Sequence, residues 1–87
     1  MRVRITKRFT RSITRIPSIK TRVAKALIKF RENPNHPGLN FERLSGREDA
    51  YSIRVTRKYR ILLIRETDED GELYAADDIG SHQIYRR

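Results

Sequence analysis

The sequence contains no cysteine and no tryptophan, and its first acidic residue is Glu32. Without cysteine, neither a disulfide framework nor a metal site with thiolate ligands can form. No apolar run is longer than that of residues 61–64, far below the ~20 residues of a membrane-spanning helix. No secretory signal is visible either. The lack of cysteine fits a reducing compartment without proving one, and we expect a cytoplasmic protein without a membrane-spanning segment.

The short chain limits the size of any ligand site. With 87 residues, of which 37% are hydrophobic and 36% charged, the protein should bury only roughly 60–65% of its unfolded surface. We therefore expect one domain over residues 1–87 with a thin core and no cofactor. Neither a phosphate-binding glycine loop nor a nucleophile elbow is present.

Positive charge is abundant and unevenly distributed. Residues 1–31 contain eleven basic side chains and no acidic one, whereas residues 66–78 contain seven acidic side chains and no basic one. The net charge of +9 is typical of proteins that bind nucleic acid, an anionic membrane surface or an acidic protein. A well-solvated surface that only keeps the protein soluble is the alternative.

The periodicity of apolar residues predicts the order β-α-α-β-β-β. Residues 1–6 alternate between apolar and basic, as in a strand. A first helix places Phe9, Ile13 and Ile16 on one face, and Ser18 is the expected N-cap of a second. The apolar face of the second helix is more economically explained as core than as membrane contact, so we expect no membrane partner.

The second half of the chain predicts three strands. Residues 51–55 alternate between apolar and polar, and residues 61–64 are apolar on both faces, as in a central strand. Residues 73–79 return after a tight turn at 70–71. The expected class is α+β, with an N-terminal αα-hairpin packed on a small, mostly antiparallel, four-stranded sheet.

Two arginines flank the predicted hairpin loop. If the loop covers residues 56–58, Arg54 and Arg60 oppose each other across the ladder, which is unfavourable unless an anion lies between them. Guanidinium groups bind phosphate oxygens bidentately, so the pair predicts a phosphate clamp. A two-residue loop would place them on opposite faces. Solvated arginines, or one paired with Asp77 or Asp78, are the alternative.

The two histidines lie in different contexts. His82 follows the last strand, where an imidazole with an ordinary pKa near ~6.5 can move protons at neutral pH; a surface histidine without a role is the alternative. His36 lies in the turn that ends the second helix, where we expect a structural role. Tyr85 either stacks on a base or attaches the tail to the core. Two histidines without cysteine predict no metal site.

Four segments, in their order and spacing, carry a family resemblance. They are HPGLNFERL (36–44), YSIRV (51–55), YRIL (59–62) and IGSHQIYR (79–86). With the predicted element order, they make nearly the whole chain resemble the RelE/ParE superfamily of toxin–antitoxin toxins, including its RelE/YoeB-like branch. The resemblance implies a compact α+β domain. Its best-known members are ribosome-dependent messenger-RNA endonucleases, and a second branch inhibits DNA gyrase without nuclease chemistry.

The resemblance also implies roles for individual residues. Arg54 and Arg60 match positions that bind the scissile phosphate, and His82 matches a histidine that acts as acid or base. Glu42 lies near the position of a catalytic glutamate, and Lys58 near that of a lysine. Few lysines surround the hairpin, so a mechanism with several lysines is not expected. The residues expected to bind or cleave RNA are His82, Arg60, Arg54, Glu42, Lys58, Arg57 and Tyr85.

Three functions stay open at this point. The first is a metal-independent messenger-RNA endoribonuclease that inhibits translation, in which the 2′-hydroxyl attacks the adjacent phosphate, with the ribosome as a further partner. The second is a non-enzymatic inhibitor of DNA gyrase. The third is a basic nucleic-acid-binding module without catalysis, whose binding depends strongly on salt. For a toxin, the expected protein partner is an acidic, partly disordered antitoxin.

Overall fold

The computed structural model describes residues 1–81, which form two α-helices and five strands. This confirms the α+β class and the predicted order, with one additional strand. Short 3-10 helices cover Pro17–Ile19 and Pro37–Leu39. The α-helices and strands are β1 (Arg2–Ile5), α1 (Lys7–Thr14), α2 (Lys20–Glu32), β2 (Glu42–Arg43), β3 (Ala50–Arg54), β4 (Tyr59–Asp68) and β5 (Gly71–Ser81).

The strands form one sheet in the order β1-β5-β4-β3-β2. Among the strands of residues 1–81, only β1 and β5 are parallel, and the other three pairs are antiparallel, so the predicted mostly antiparallel sheet is confirmed. The strand β4 is central, as its apolar run predicts. Ile61 and Leu63 are fully buried on one face, and Leu62 and Ile64 are half-buried on the other.

Three details of the prediction are wrong, the first being that α1 ends at Thr14 and does not include Ile16. The sheet has five strands rather than four, because Glu42–Arg43 pairs with β3 as an edge strand. Two residues are too few to show an alternating pattern, so the sequence did not indicate this strand. Ser18 is not the N-cap of α2. It lies within the 3-10 helix that leads into α2, and the helix begins without a side-chain cap.

The core lies between the two helices and the sheet. Thr6 starts α1 by accepting a hydrogen bond from the Phe9 backbone at 3.0 Å, and the buried Phe9 faces the core. Phe30 of α2 is fully buried, and its ring centroid lies 5.1 Å from that of Phe41 and 5.4 Å from that of Tyr74. Burial raises the pKa of the Tyr74 phenol. None of the helices within residues 1–81 is long and apolar enough to cross a membrane.

The strand β5 anchors α1 through a bulge. One extra residue, Asp77, interrupts the pairing of β4 with β5, and bulges redirect neighbouring side chains. The next carboxylate, Asp78, accepts a hydrogen bond from Ser12 at 2.6 Å and pairs with Arg8 at 3.2 Å. Asp78 therefore pairs with α1 rather than with the hairpin arginines, the alternative raised by the sequence.

Candidate active site at the β3–β4 hairpin

Arg54 and Arg60 are direct partners across β3 and β4. The backbone amide of Val55 donates to the carbonyl of Tyr59 at 3.0 Å, which closes a loop over residues 56–58. This is the connection that opposes the two arginines, so the predicted register is confirmed. Both side chains therefore leave the sheet on the same face.

The guanidinium of Arg60 is turned into the protein. Its side chain is 8% exposed, Nε donates to Ser52 Oγ at 3.0 Å, and Nη2 donates to the carbonyl oxygen of Asn40 at 3.0 Å. Nη2 also lies 3.3 Å from Glu42 Oε1. A buried cation is unfavourable unless it is hydrogen-bonded and paired, and these three groups meet both needs.

Glu42 lies beside the two opposed arginines and contacts one of them. It lies on β2 directly opposite Ser52, which precedes Arg54 by two residues on the same face of β3. Its side chain is 49% exposed, so the carboxylate contacts Arg60 and is also open to a ligand. The sequence singled out both Glu42 and Arg60 but did not predict this contact.

Ser52 and Asn40 are site residues that sequence reasoning missed. Ser52 is fully buried, although an alternating strand suggested a solvent-facing position. Asn40 adopts a positive φ of 46°, a left-handed conformation in which asparagine is enriched. The only available signal was its place in the turn-rich segment after α2, and that segment indicates a turn rather than an arginine ligand.

The other hairpin cations are exposed. Arg57 and Lys58 lie in the loop between β3 and β4, and Lys58 Nζ lies 5.4 Å from the centroid of the Tyr59 ring, within cation–π range. Arg54 is also exposed and lines a recess of about 140 Å³ between β3 and α2. The hairpin therefore presents three cations to solvent beside the buried fourth.

The recess also contains basic residues of α2 that the sequence analysis did not assign to a site. Arg22, Lys25 and Lys29 line it together with Arg54. Their spacing along α2 places them on one side of the helix. That spacing was visible in the sequence, but the proximity of this side to β3 was not.

The arginines of β1 are paired with the acidic segment of residues 66–78. Arg2 lies 2.8 Å from Asp68, and Arg4 lies 2.8 Å from Glu66. The hydrogen bond from Arg2 holds the pKa of the Asp68 carboxyl below its usual value. The acidic segment therefore neutralises the arginines of β1, whereas the cations of α2 and of the hairpin loop form no ion pair among the described residues.

The described residues include His36 but not His82 or Tyr85. They end just after Gly80, which lies opposite Arg60 on β5. His82 and Tyr85 lie outside the described residues, so their roles stay predictions. His36 has a structural contact, because its Nδ1 accepts a hydrogen bond from the Gly38 amide at 3.1 Å. Within residues 1–81, no group of three or more His, Asp and Glu side chains is arranged to hold a metal ion.

Solved structures share this fold over almost their whole length. YafQ from E. coli has a TM-score of 0.73 and 12% identity, covering 97% of each chain. The YoeB/ParE toxin from Agrobacterium tumefaciens has a TM-score of 0.71 and 14% identity, covering 94% of this chain and 99% of its own. The RelB–RelE antitoxin–toxin complex from Methanococcus jannaschii contains a chain with a TM-score of 0.64 and 21% identity, covering 95% of both.

The sequence comparisons identify the family. A search of curated protein sequences finds no significant match. The ParE-like toxin domain family, however, matches residues 17–87, which include α2, all strands after β1 and every residue of the candidate site. The chain therefore belongs to the ParE-like toxin domain family, within the RelE/ParE superfamily of toxin–antitoxin toxins.

Proposed function

We propose that the protein is the toxin of a type II toxin–antitoxin system and acts as a messenger-RNA endoribonuclease that inhibits translation. The observation that carries this proposal is the contact between Glu42 and Arg60, 3.3 Å apart, beside Arg54 on the neighbouring strand. A carboxylate able to accept a proton thus lies next to groups that bind phosphate. Cleavage of RNA through its own 2′-hydroxyl requires both.

In the proposed reaction, Glu42 accepts the proton of the 2′-hydroxyl while this oxygen attacks the adjacent phosphorus. The bond from phosphorus to the 5′-oxygen breaks, which leaves a 2′,3′-cyclic phosphate and a 5′-hydroxyl. Arg54 and Arg60 donate to the phosphoryl oxygens, where negative charge develops. His82 is the proposed acid that protonates the leaving 5′-oxygen.

The burial of Arg60 suits this role. A guanidinium held by Ser52 and Asn40 is already oriented, so little reorganisation is needed when charge develops on the phosphate. The exposed side chain of Arg54 can instead change conformation when the substrate binds. Arg57 and Lys58, at the loop, are placed to contact flanking phosphates, and Tyr85 is the proposed base-stacking residue. No step of the proposed reaction uses a metal or a cofactor. The ribosome is the proposed site of action. The proposed location is therefore the cytoplasm.

An acidic antitoxin is the proposed protein partner. An apolar groove of about 540 Å³ lies between α1 and α2, lined by Phe9, Ile13, Val23 and Leu27. The helices around it carry basic but no acidic side chains before Glu32. A segment with apolar residues on one side and acidic residues on the other is complementary to this surface, and it would gain order on binding.

The test is inducible expression in a bacterium with messenger-RNA 5′ ends mapped by primer extension. Wild type should arrest growth and create new 5′ ends. Glu42→Gln should reduce cleavage by about 100- to 10,000-fold, the range for loss of a general base, and His82→Ala should abolish it. Glu69→Gln is the matched control, because Glu69 is exposed in the turn at the opposite end of β4. Full cleavage by Glu42→Gln would remove Glu42 from the mechanism.

Inhibition of DNA gyrase is the second candidate, favoured by the match to a ParE-like family. It predicts growth arrest with intact messages, and inhibition of supercoiling by purified gyrase. Under this alternative, Glu42→Gln should be as toxic as wild type. Arrest without new 5′ ends would therefore replace the nuclease proposal with the gyrase proposal.

A further inference from the structure

The recess between α2 and the end of β3 combines four cations with a small apolar floor. Arg22, Lys25, Lys29 and Arg54 surround it, and the buried side chains of Ala26 and Leu39 lie at its base. Among the residues that the structure describes, no acidic one lines it. It is therefore a concave basic site rather than a flat charged surface.

The three cations of α2 are arranged unfavourably for the helix alone. Lys25 and Lys29 are one turn apart and Arg22 lies one turn before Lys25, so like charges are neighbours on one side of the helix. None of them forms an ion pair with another residue among those the structure describes. By contrast, Arg2, Arg4 and Arg8 are each paired with a carboxylate. An external anion would relieve the repulsion.

The position of Arg54 connects this recess to the candidate active site. Arg54 lines the recess and is also the ladder partner of Arg60. Their neighbours Ile53 and Ile61 face the core and α2, so the two arginines lie on the other face of the sheet. A nucleic-acid backbone held at the two arginines would reach α2 by passing around the end of β3, where Arg54 lines the recess. The three α2 cations extend over two helical turns, or ~10 Å, which is long enough to follow a nucleic-acid backbone beyond a single phosphate.

We infer that Arg22, Lys25 and Lys29 form a second phosphate-binding subsite, which holds the RNA backbone next to the phosphate at Arg54 and Arg60. The inference rests on the proposed function for the identity of the strand as RNA. Lysine and arginine at this site contact phosphates and not base edges, so the subsite adds affinity without sequence preference.

The test is binding of a short fluorescein-labelled 2′-O-methyl oligouridine, measured by fluorescence anisotropy at several salt concentrations. This probe lacks the attacking hydroxyl, so it reports binding without cleavage. The slope of log K against log salt is negative, and each lost phosphate contact lowers its magnitude by about 0.7 for a single strand. The double variant Lys25→Gln/Lys29→Gln should therefore lower the magnitude of the slope by about 1.4.

The matched control is Lys7→Gln/Arg11→Gln, which removes the same charge at the same spacing from α1, outside the recess. Its slope should stay at the wild-type value. If the double variant of α2 does not fold by circular dichroism, Arg22→Gln alone should lower the magnitude of the slope by about 0.7. Equal slopes for the α2 and α1 variants would overturn the inference.

Two further outcomes separate this inference from the proposed function. If wild type cleaves messenger RNA but the α2 variants keep the wild-type slope, the inference fails and the proposed function stands. If wild type does not cleave but the α2 variants lower the magnitude of the slope, the subsite stands and the nuclease proposal fails. An unchanged RNA slope combined with weaker binding of a poly-glutamate peptide would make the recess a protein-binding site and overturn the inference.

Discussion

The Glu42 carboxylate and the Arg60 guanidinium lie 3.3 Å apart, although one side chain is 49% exposed and the other only 8%. The contact therefore pairs a buried guanidinium with a carboxylate that is half exposed to solvent. Arg60 is held from the inner side by Ser52 and Asn40 and from the outer side by Glu42. In the proposed function, this arrangement orients the phosphate-binding group and leaves the proton acceptor accessible.

Removing Arg60 should affect stability, whereas removing Arg54 should not. Arg60→Ala leaves the buried Ser52 hydroxyl and the Asn40 carbonyl without this donor, at a cost of about 1–3 kcal/mol in the free energy of unfolding. Arg54→Ala removes an exposed side chain and should stay within about 0.5 kcal/mol of wild type. Urea unfolding measures both. Equal stability of the two variants would show that the contacts of Arg60 contribute little to folding.

Ser52 should be coupled to Arg60. Its hydroxyl accepts from Nε at 3.0 Å, and residues in one hydrogen-bond network show interaction energies of about 0.5–3 kcal/mol. A double-mutant cycle of Ser52→Ala and Arg60→Ala, followed by urea unfolding, should give a coupling within this range. Ser52→Ala combined with Glu69→Ala, in the turn at the opposite end of β4, is the control pair and should be additive. A coupling near zero for Ser52 and Arg60 contradicts the prediction.

Acid should weaken the attachment of β1 to the β4–β5 turn. The hydrogen bond from Arg2 lowers the pKa of Asp68 in the folded protein. The resulting stability is present above the ordinary carboxyl pKa and is lost as the pH falls through the lowered value. Asp68→Asn should therefore reduce the pH dependence of unfolding below pH ~4, by a small amount because the pair is exposed. Glu69→Gln, at the neighbouring turn position, is the control.

Phe30 should be among the most sensitive core positions. It is fully buried between Phe41 and Tyr74, and truncation of a buried Phe to Ala costs about 3–5 kcal/mol. Ile28 on the same helix is 53% exposed, so Ile28→Ala should change stability by about 0.5 kcal/mol or less. If Phe30→Ala does not fold, Phe30→Leu provides a smaller loss that can be measured by thermal unfolding. A small loss of stability in Phe30→Ala would contradict the close packing of Phe30 against Phe41 and Tyr74.

Local patterns predicted most of the secondary structure. The alternation in residues 51–55 identified β3, and the apolar run in residues 61–64 identified the central strand, because side-chain periodicity reflects which faces are buried. The turn between β4 and β5 was also predicted, because glycine adopts positive φ without strain. In the structure, Gly71 has a φ of +108°. The edge strand β2 was not predicted, because it forms only by pairing with β3. The entry to α2 was predicted wrongly, because a 3-10 helix at Pro17–Ile19 replaces the expected Ser18 cap.

For this protein, the sequence by itself determined the α+β class and the basic character, because these follow from side-chain periodicity and from composition. It left two arrangements of Arg54 and Arg60 open, and the structure shows that they oppose each other across a three-residue loop. Only the tertiary structure decided that Arg60 is buried against Ser52 and Asn40, that Glu42 pairs with it, and that α2 brings three cations to Arg54. These contacts join segments that are distant in the chain. They depend on the order of strands in the sheet and on the packing of α2, which no local periodicity encodes.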